Sequence, residues 1–322
     1  MLKNRILREL EMNRSCPISG QALAERYHVS RNAVWKAVNA LKEEGYEILS
    51  AQNRGYILAP DSDRLSREGI LAHLEPGIGE PAVYAFRELD STNNEAKRML
   101  ASGFRGRALV VSECQSAGRG RGDNRFYSPS GTGLYVTMLT AGGTLPEPPS
   151  FITIAAAVAV ARAVESLCGL RLQFKWVNDL FLEGKKAGGI LSEAVTDLES
   201  GRIEEAVVGV GLNVTTKDFP PDIRKRAISL GMKAGSRNRL AAEIAGQFFR
   251  MDLLEHDLYM DEYRERSLVL GRNVVYEGEA VYAEGLDELG GLIIRRADGR
   301  KETLRGGSIT LEEESETCVF EE

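Results

Sequence analysis

Glycine and arginine alternate in Gly118-Arg119-Gly120-Arg121-Gly122, a pattern with a definite chemistry. Glycine lets a backbone close over a ligand, and arginine keeps its charge at any working pH. Such a loop can clamp a carboxylate or a phosphate. Neutral donors and acceptors stand before it in Asp90-Ser91-Thr92-Asn93 and Gln115. Cations follow in Lys175-Trp176-Val177-Asn178-Asp179 and Lys185-Lys186, and Gly209-Val210-Gly211-Leu212-Asn213 adds glycines and an amide. These segments form one candidate anion site.

Other chemistries fit poorly. The four cysteines (Cys16, Cys114, Cys168, Cys318) are scattered without a CxxC pair, which argues against a zinc site or a disulfide framework. His28, His73 and His256 accompany no obvious nucleophile, so Ser-His or Cys-His covalent catalysis is not expected. The Gly/Arg loop lacks the third glycine of GxGxxG and is not followed by a helical pattern, which weakens a Rossmann assignment. GxxxxGK followed by Ser or Thr does not occur, so ATP, if bound, is held without a P-loop.

The elements that must position these residues can be read in outline. Residues 83–89 read as a strand, after which Thr92 and Glu95 are spaced as a capping box. The helix they open leaves N–H groups free for a ligand oxygen. Residues 108–114 form a β-rich run that delivers Gln115 and the Gly/Arg loop at its end. Residues 134–139 resume strand character, 152–164 read as a buried alanine-rich helix, and 170–176 as a strand leading to a hairpin at Glu183-Gly184. No βαβ repetition is visible, so a mixed or antiparallel sheet with helices on one face is expected.

Net charge is −6 over 322 residues, but residues 1–60 carry nine Lys/Arg against six Asp/Glu, leaving −9 for the remainder. A cationic head on an acidic body points to a polyanion at the head only. Leu2, Ile6, Leu7 and Leu10 recur at helical spacing. A short helix follows from Ser19, then a turn at His28-Val29, then a third helix capped by Ser30 and closed by Gly45. Helix, short turn and helix is the helix-turn-helix arrangement. It leaves Arg31, Asn32, Trp35, Lys36 and Asn39 outward, of which Arg and Asn suit guanine and adenine edges. Residues 46–49 and 56–58 form a wing around Gln52-Asn53-Arg54-Gly55, with Arg54 at its tip. A linker at Ala59-Pro60-Asp61-Ser62-Asp63 ends this unit.

After residue 268, short strands at 274–276, 280–283, 292–294, 302–304 and 308–311 alternate with Gly-rich turns and predict a small barrel, followed by an acidic tail from 312 to 322. No apolar run reaches the ~20 residues that span a bilayer. Met1-Leu2-Lys3-Asn4-Arg5 leads into no secretory core, so a cytoplasmic protein without membrane contact is expected.

Taken in order, Asp90-Ser91-Thr92-Asn93, Gln115 to Arg121, Lys175 to Asp179, Lys186-Ala187-Gly188-Gly189-Ile190-Leu191 and Gly209 to Asn213 strongly resemble the biotin–protein ligases. With its winged head, the chain resembles the members of that family that are also biotin operon repressors. The resemblance implies an α+β protein with three units. These are a winged helix-turn-helix at 1–60, a central sheet-and-helix domain like class II aminoacyl-tRNA synthetases at 61–268, and an SH3-like barrel at 269–322.

It further implies two steps: biotin and ATP give biotinyl-5′-adenylate and pyrophosphate, and a carrier lysine then takes the biotin. Ser91, Thr92, Asn93 and Gln115 would serve the ureido ring, with Gly120 and Gly189 also lining the biotin site. Arg119, Arg121 and Lys186 would be the catalytic cations. Asn178 and Asn213 would meet the adenylate. Lys175 and Asp179 would contact pyrophosphate and Mg²⁺ or form an orienting ion pair; both roles stay open. Ser30, Arg31, Asn32, Trp35, Lys36 and Arg54 would face operator DNA. Implied partners are carrier domains of acetyl-CoA carboxylase and pyruvate carboxylase, and a second copy of the chain when adenylate is bound. Many relatives have proline at Val177 and others tryptophan at Phe126. Ala227 stands where some place an aromatic residue over adenine, so the adenine contact stays unassigned. Two alternatives are a lipoate-type ligase, which explains the ureido partners less well, and a ligand-sensing transcription factor without ligase activity.

Overall fold

The computed structural model describes residues 1–51, 54–78, 81–122, 124–142, 145, 148–196, 203–251, 255 and 257–311. The tip of the wing at 52–53 and the acidic end at 312–322, both singled out in the sequence, lie outside them.

Three helices, Leu2–Met12 (α1), Gly20–Tyr27 (α2) and Arg31–Glu43 (α3), precede the hairpin of Ile48–Ala51 (β1) and Gly55–Leu58 (β2). Ser30 caps α3 as expected, its hydroxyl accepting the Ala33 N–H at 3.2 Å, and Ser19 caps α2 in the same way, accepting the Ala22 N–H at 3.0 Å. His28 is left-handed (φ 52°), which turns α2 into α3 within three residues. Ile6, Leu10, Leu23, Val34, Val38 and Leu41 close a core belonging to this head alone.

The body follows: Arg67–His73 (α4), Ala82–Leu89 (β3), Thr92–Ala101 (α5), Gly106–Gln115 (β4), Gly133–Ala141 (β5), Ser150–Cys168 (α6), Gln173–Lys175 (β6), Asp179–Leu182 (β7), Lys185–Thr196 (β8), Ile203–Asn213 (β9), Arg237–Arg250 (α7) and Asp257–Glu265 (α8). Seven strands pair in the order β3-β4-β5-β9-β8-β7-β6. Only β3 and β4 are parallel, so the sheet is mixed, as expected. The helices are not confined to one face. Alternate residues of β4 point to opposite sides: Leu109 and Val111 join α6 and α7, whereas Ala108 and Val110 pack on Ala96 and Leu100 of α5. The predicted strand at 170–176 shrinks to three residues. α6 is long and apolar enough to cross a membrane, but 72% of that stretch is buried inside the fold.

Arg272–Tyr276 (β10), Glu279–Leu286 (β11), Leu292–Arg295 (β12), Lys301–Leu304 (β13) and Ile309–Leu311 (β14) form an antiparallel sheet in the order β13-β12-β11-β10-β14. Among the described residues the outer strands β13 and β14 are not paired with each other. Val274, Val281 and Ile294 continue the central core.

Head and body meet through buried polar groups. Glu11 of α1 is 2% exposed, pairs with Arg14 and accepts from Asn238 Nδ2 of α7 at 3.1 Å. Burial raises the Glu11 carboxyl above its ordinary value despite Arg14. Arg14 also donates to the Ser62 carbonyl at 2.7 Å, fixing the linker.

Candidate functional site

A cavity of about 730 Å³ opens where the central sheet meets the C-terminal one. Its lining brings together Ser91, Thr92, Asn93, Gln115, Arg119, Gly120, Arg121, Lys175, Asn178, Asp179, Lys186, Gly189 and Asn213. Five segments that are distant in sequence therefore share one wall.

Parallel β3 and β4 end side by side, with Leu89 opposite Gln115. This places the start of α5 against Gln115, at the carboxyl ends of the strands where α/β sheets form crevices. The predicted capping box does not form. Ser91 is the N-cap and makes no side-chain capping bond. Instead, Gln115 Oε1 accepts the Thr92 N–H at 2.9 Å and the Thr92 hydroxyl at 3.2 Å, while its Nε2 donates to Ser128 at 3.0 Å. Glu95 turns to Arg98, whose guanidinium also holds the Asp90 carboxyl far below the ordinary carboxylate range. A strand end thus satisfies the helix start, and the Ser91 hydroxyl faces the cavity with no recorded partner among the described residues.

Asn93 is a brace. Its Nδ2 donates to the Leu191 carbonyl at 3.0 Å and to Glu193 at 2.9 Å, and its Oδ1 accepts from Thr137 at 2.7 Å. Burial would raise the Glu193 carboxyl, but Lys97 and Asn93 outweigh it and hold it below the usual value. One Oδ1 lone pair of Asn93 is left for a ligand.

The Gly/Arg loop is a short hairpin: Gly120 N–H donates to the Asn124 carbonyl at 2.8 Å and Phe126 N–H to that of Gly118 at 2.9 Å. Arg121 reaches across the cavity to Asn178 Oδ1 and the Gly307 carbonyl, each at 3.3 Å. Arg119 is exposed, and its charge contributes to the lowering at Glu193.

The other cations lie on either side of the β6–β7 turn, Lys175 at the end of β6 and Lys186 at the start of β8. The Trp176–Val177 bond in that turn is cis, and Trp176 is core, 4% exposed with Nε1 donating to the Gly290 carbonyl at 3.0 Å. Asp179 Oδ1 lies 2.5 Å from Lys186 Nζ, and its Oδ2 lies 3.8 Å from Lys175 Nζ. Lys175 also sits 5.2 Å from the Phe181 ring centroid. Lys186 is fixed by its backbone, donating to the Arg226 carbonyl at 2.7 Å and accepting from Ile228 N–H at 3.0 Å. Asn213 Nδ2 donates to the Ile228 carbonyl at 3.2 Å. Among the described residues Asp179 is the one carboxylate in the lining, and both its oxygens face lysines. Among the described residues no group of three metal-binding side chains exists. Among the described residues the lining does not by itself make a magnesium cage.

The motif glycines make the cavity. A Cβ at Gly209 would stand 2.2 Å from Asn93 Oδ1, and one at Gly211 would stand 2.6 Å from the Phe126 ring. At Gly189 the nearest atoms are 3.6 Å away. Gly209→Val is therefore expected to cost about 1–3 kcal/mol in ligand affinity, roughly 5- to 150-fold. Gly189→Ala should bind nearly normally; titration calorimetry with biotin compares the two.

Sequence reasoning missed Phe181, Ile223, Arg226, Ser308 and Thr310, all of which line the cavity, as does Phe126. Gly306-Gly307 hinted at Ser308 and Thr310, but only the fold brings them to Arg121.

In the head, Arg31, Asn32, Trp35, Lys36 and Arg54 are exposed. Ser30 is held in its cap.

The HTH domain family matches residues 3–57, and the Biotin/lipoate A/B protein ligase family matches residues 85–213. The Bifunctional ligase/repressor BirA of Bacillus subtilis is 33% identical over 223 residues, covering 68% of each chain. That of Escherichia coli is 26% identical over 304 residues, covering 91% of this chain and 92% of the relative. The fold is shared with a biotin protein ligase from Aquifex aeolicus solved with biotin and ATP, at TM-score 0.59 and 23% identity, over 71% of this chain and 97% of that one. With an HTH domain and a ligase domain matched on one chain, and 33% identity to a bifunctional ligase/repressor over 68% of each, the chain belongs to the BirA family of bifunctional ligase/repressors.

Proposed function

We propose that this chain activates biotin with ATP, transfers it to a carrier lysine, and represses transcription in response to biotin. The observation that carries the enzymatic part is the convergence of Gln115, the Arg119–Arg121 flap, Lys186 and Asn213 on one cavity. In the first step a biotin carboxylate oxygen attacks the α-phosphorus of ATP; the bond to the β-phosphate oxygen breaks, and pyrophosphate leaves. Two anions must meet, and Lys186, Arg119 and Arg121 supply the positive charge between them. Ser91, Thr92 and Gln115 hold the ureido ring, with Asn93 bracing the wall. Asn178 and Asn213 hold the adenylate. Lys175 and Asp179 keep Lys186 oriented until substrates displace that ion pair, and no step is assigned to a protein-held magnesium. In the second step a neutral lysine amine attacks the biotinyl carbonyl, AMP leaves, and the amine loses its proton.

The flap excludes water from the anhydride. Arg121→Ala is expected to release biotinyl-adenylate about tenfold faster or more, the worth of a charged hydrogen bond. Rapid filtration of the labelled intermediate measures this, and an unchanged release rate would count against the flap's role.

The domains at 1–60, 61–268 and 269–322 act as reader, ligase and clamp. Adenylate orders the flap, two copies associate through the central sheet, and paired heads fit a palindromic operator. Acetyl-CoA carboxylase and pyruvate carboxylase supply the carrier domains, and the cytoplasm is where ATP, carriers and DNA meet. The decisive experiment is mass spectrometry of an apo carrier domain incubated with this protein, ATP and either biotin or lipoate. A biotin mass increment alone is expected, whereas lipoyl transfer or no transfer overturns the ligase assignment. Electrophoretic shift with and without biotin plus ATP tests the switch, which fails if operator affinity is the same in both.

A further inference from the structure

Trp35 has a position that phosphate binding does not explain. Its neighbours on α3 build the head's core, yet Trp35 itself is 53% exposed. It stands one helical turn from both Arg31 (i, i+4) and Asn32 (i, i+3), so the three share a face, and Arg31, Asn32 and Lys36 are exposed with it. From Val29 to Lys42 the chain carries Arg31, Lys36 and Lys42 and no Asp or Glu. That face is complementary to a polyanion.

Within it, the indole has one N–H that can meet a phosphate, but its broad apolar face cannot. The apolar feature that a major groove offers is the C5-methyl group of thymine. We propose that Trp35 reads thymine methyl groups in the operator half-site, beside the guanine and adenine edges suited to Arg31 and Asn32. This rests on the DNA-binding function above and specifies which bases the recognition helix requires. A wedge between base steps, or a contact between two heads, would leave the methyl group without effect.

The test starts by selecting duplexes from a random pool with the full chain, biotin and ATP. Each thymine of the selected half-site is then replaced in turn by deoxyuridine, which removes the methyl and keeps every hydrogen-bonding edge group. At one or two positions the wild type is expected to bind about fourfold more weakly per methyl removed, the equivalent of one buried methylene. Trp35→Ala should be insensitive to the same replacement while still binding in a salt-dependent way. Equal wild-type affinity for thymine and uracil at every position overturns the proposal, as does methyl sensitivity that survives in Trp35→Ala. Failure to select any duplex instead overturns the DNA-binding function itself, and the inference falls with it.

Discussion

Lys186→Ala should slow biotinyl-adenylate formation by about 10²- to 10³-fold, the loss that follows removal of one preorganised charge-stabilising group. The reason is electrostatic. Two unit charges 4 Å apart interact by about 4 kcal/mol at the effective dielectric near a protein surface, and the attacking carboxylate and the α-phosphate are both negative. The cation that offsets this must sit between them, and the Lys186 ammonium is held for that task by its neighbours. Its backbone is pinned at both the N–H and the carbonyl by residues 226 and 228, so the side chain can be truncated without unseating the strand. Asp179 keeps Lys175 at 3.8 Å, and no carboxylate is stranded. The side chain is 41% exposed, so its ion pair contributes little to stability. The expected result is a fall in kcat with an unchanged thermal midpoint, followed by pyrophosphate release at saturating biotin and ATP. Activity within tenfold of wild type would remove Lys186 from the catalytic cations.

What the sequence revealed of this machinery was local. Ser30 caps its helix as read because an N-cap hydroxyl needs only the N–H groups of the next turn. The failures were non-local. Thr92 and Glu95 have the spacing of a capping box, but Gln115, 23 residues on, reaches the helix start first because β3 and β4 run parallel. The small residues Ala96 and Ala108 gave no sign that α5 covers the second face of the sheet, since a narrow apolar stripe resembles a solvated helix. The roles of Ser308 and Thr310 depend on where a separate sheet docks. The bracing of Asn93 by Leu191, Glu193 and Thr137, beside the lone pair it keeps for a ligand, was equally hidden, because those contacts lie far along the chain or across the sheet.

Arg237 is the furthest case of this kind, and its loss should destabilise the protein by about 3–5 kcal/mol, as breaking a buried ion pair does. At the start of α7 its side chain is 2% exposed. Nε lies 3.1 Å from Asp63, Nη1 lies 2.9 Å from Glu113 and donates to the Gly133 carbonyl at 3.1 Å, and Nη2 meets the Asp63 carbonyl. One guanidinium therefore ties the head's linker to β4 two residues before Gln115, and to β5 at the residue paired with Asn213. Arg237→Leu leaves Asp63 and Glu113, 10% and 15% exposed, without their cation. Arg237→Lys keeps the charge but cannot fill a fork of four acceptors, so it should recover only part of the loss. Adding Asp63→Asn and Glu113→Gln to Arg237→Leu removes the stranded charges and should restore more of the stability than the lysine does. Denaturant midpoints at constant m-value distinguish these variants. A cost below about 1 kcal/mol for Arg237→Leu, the range of an exposed pair, would mean that the linker is not held by this residue. The ligand cavity and the head would then have to communicate by another route.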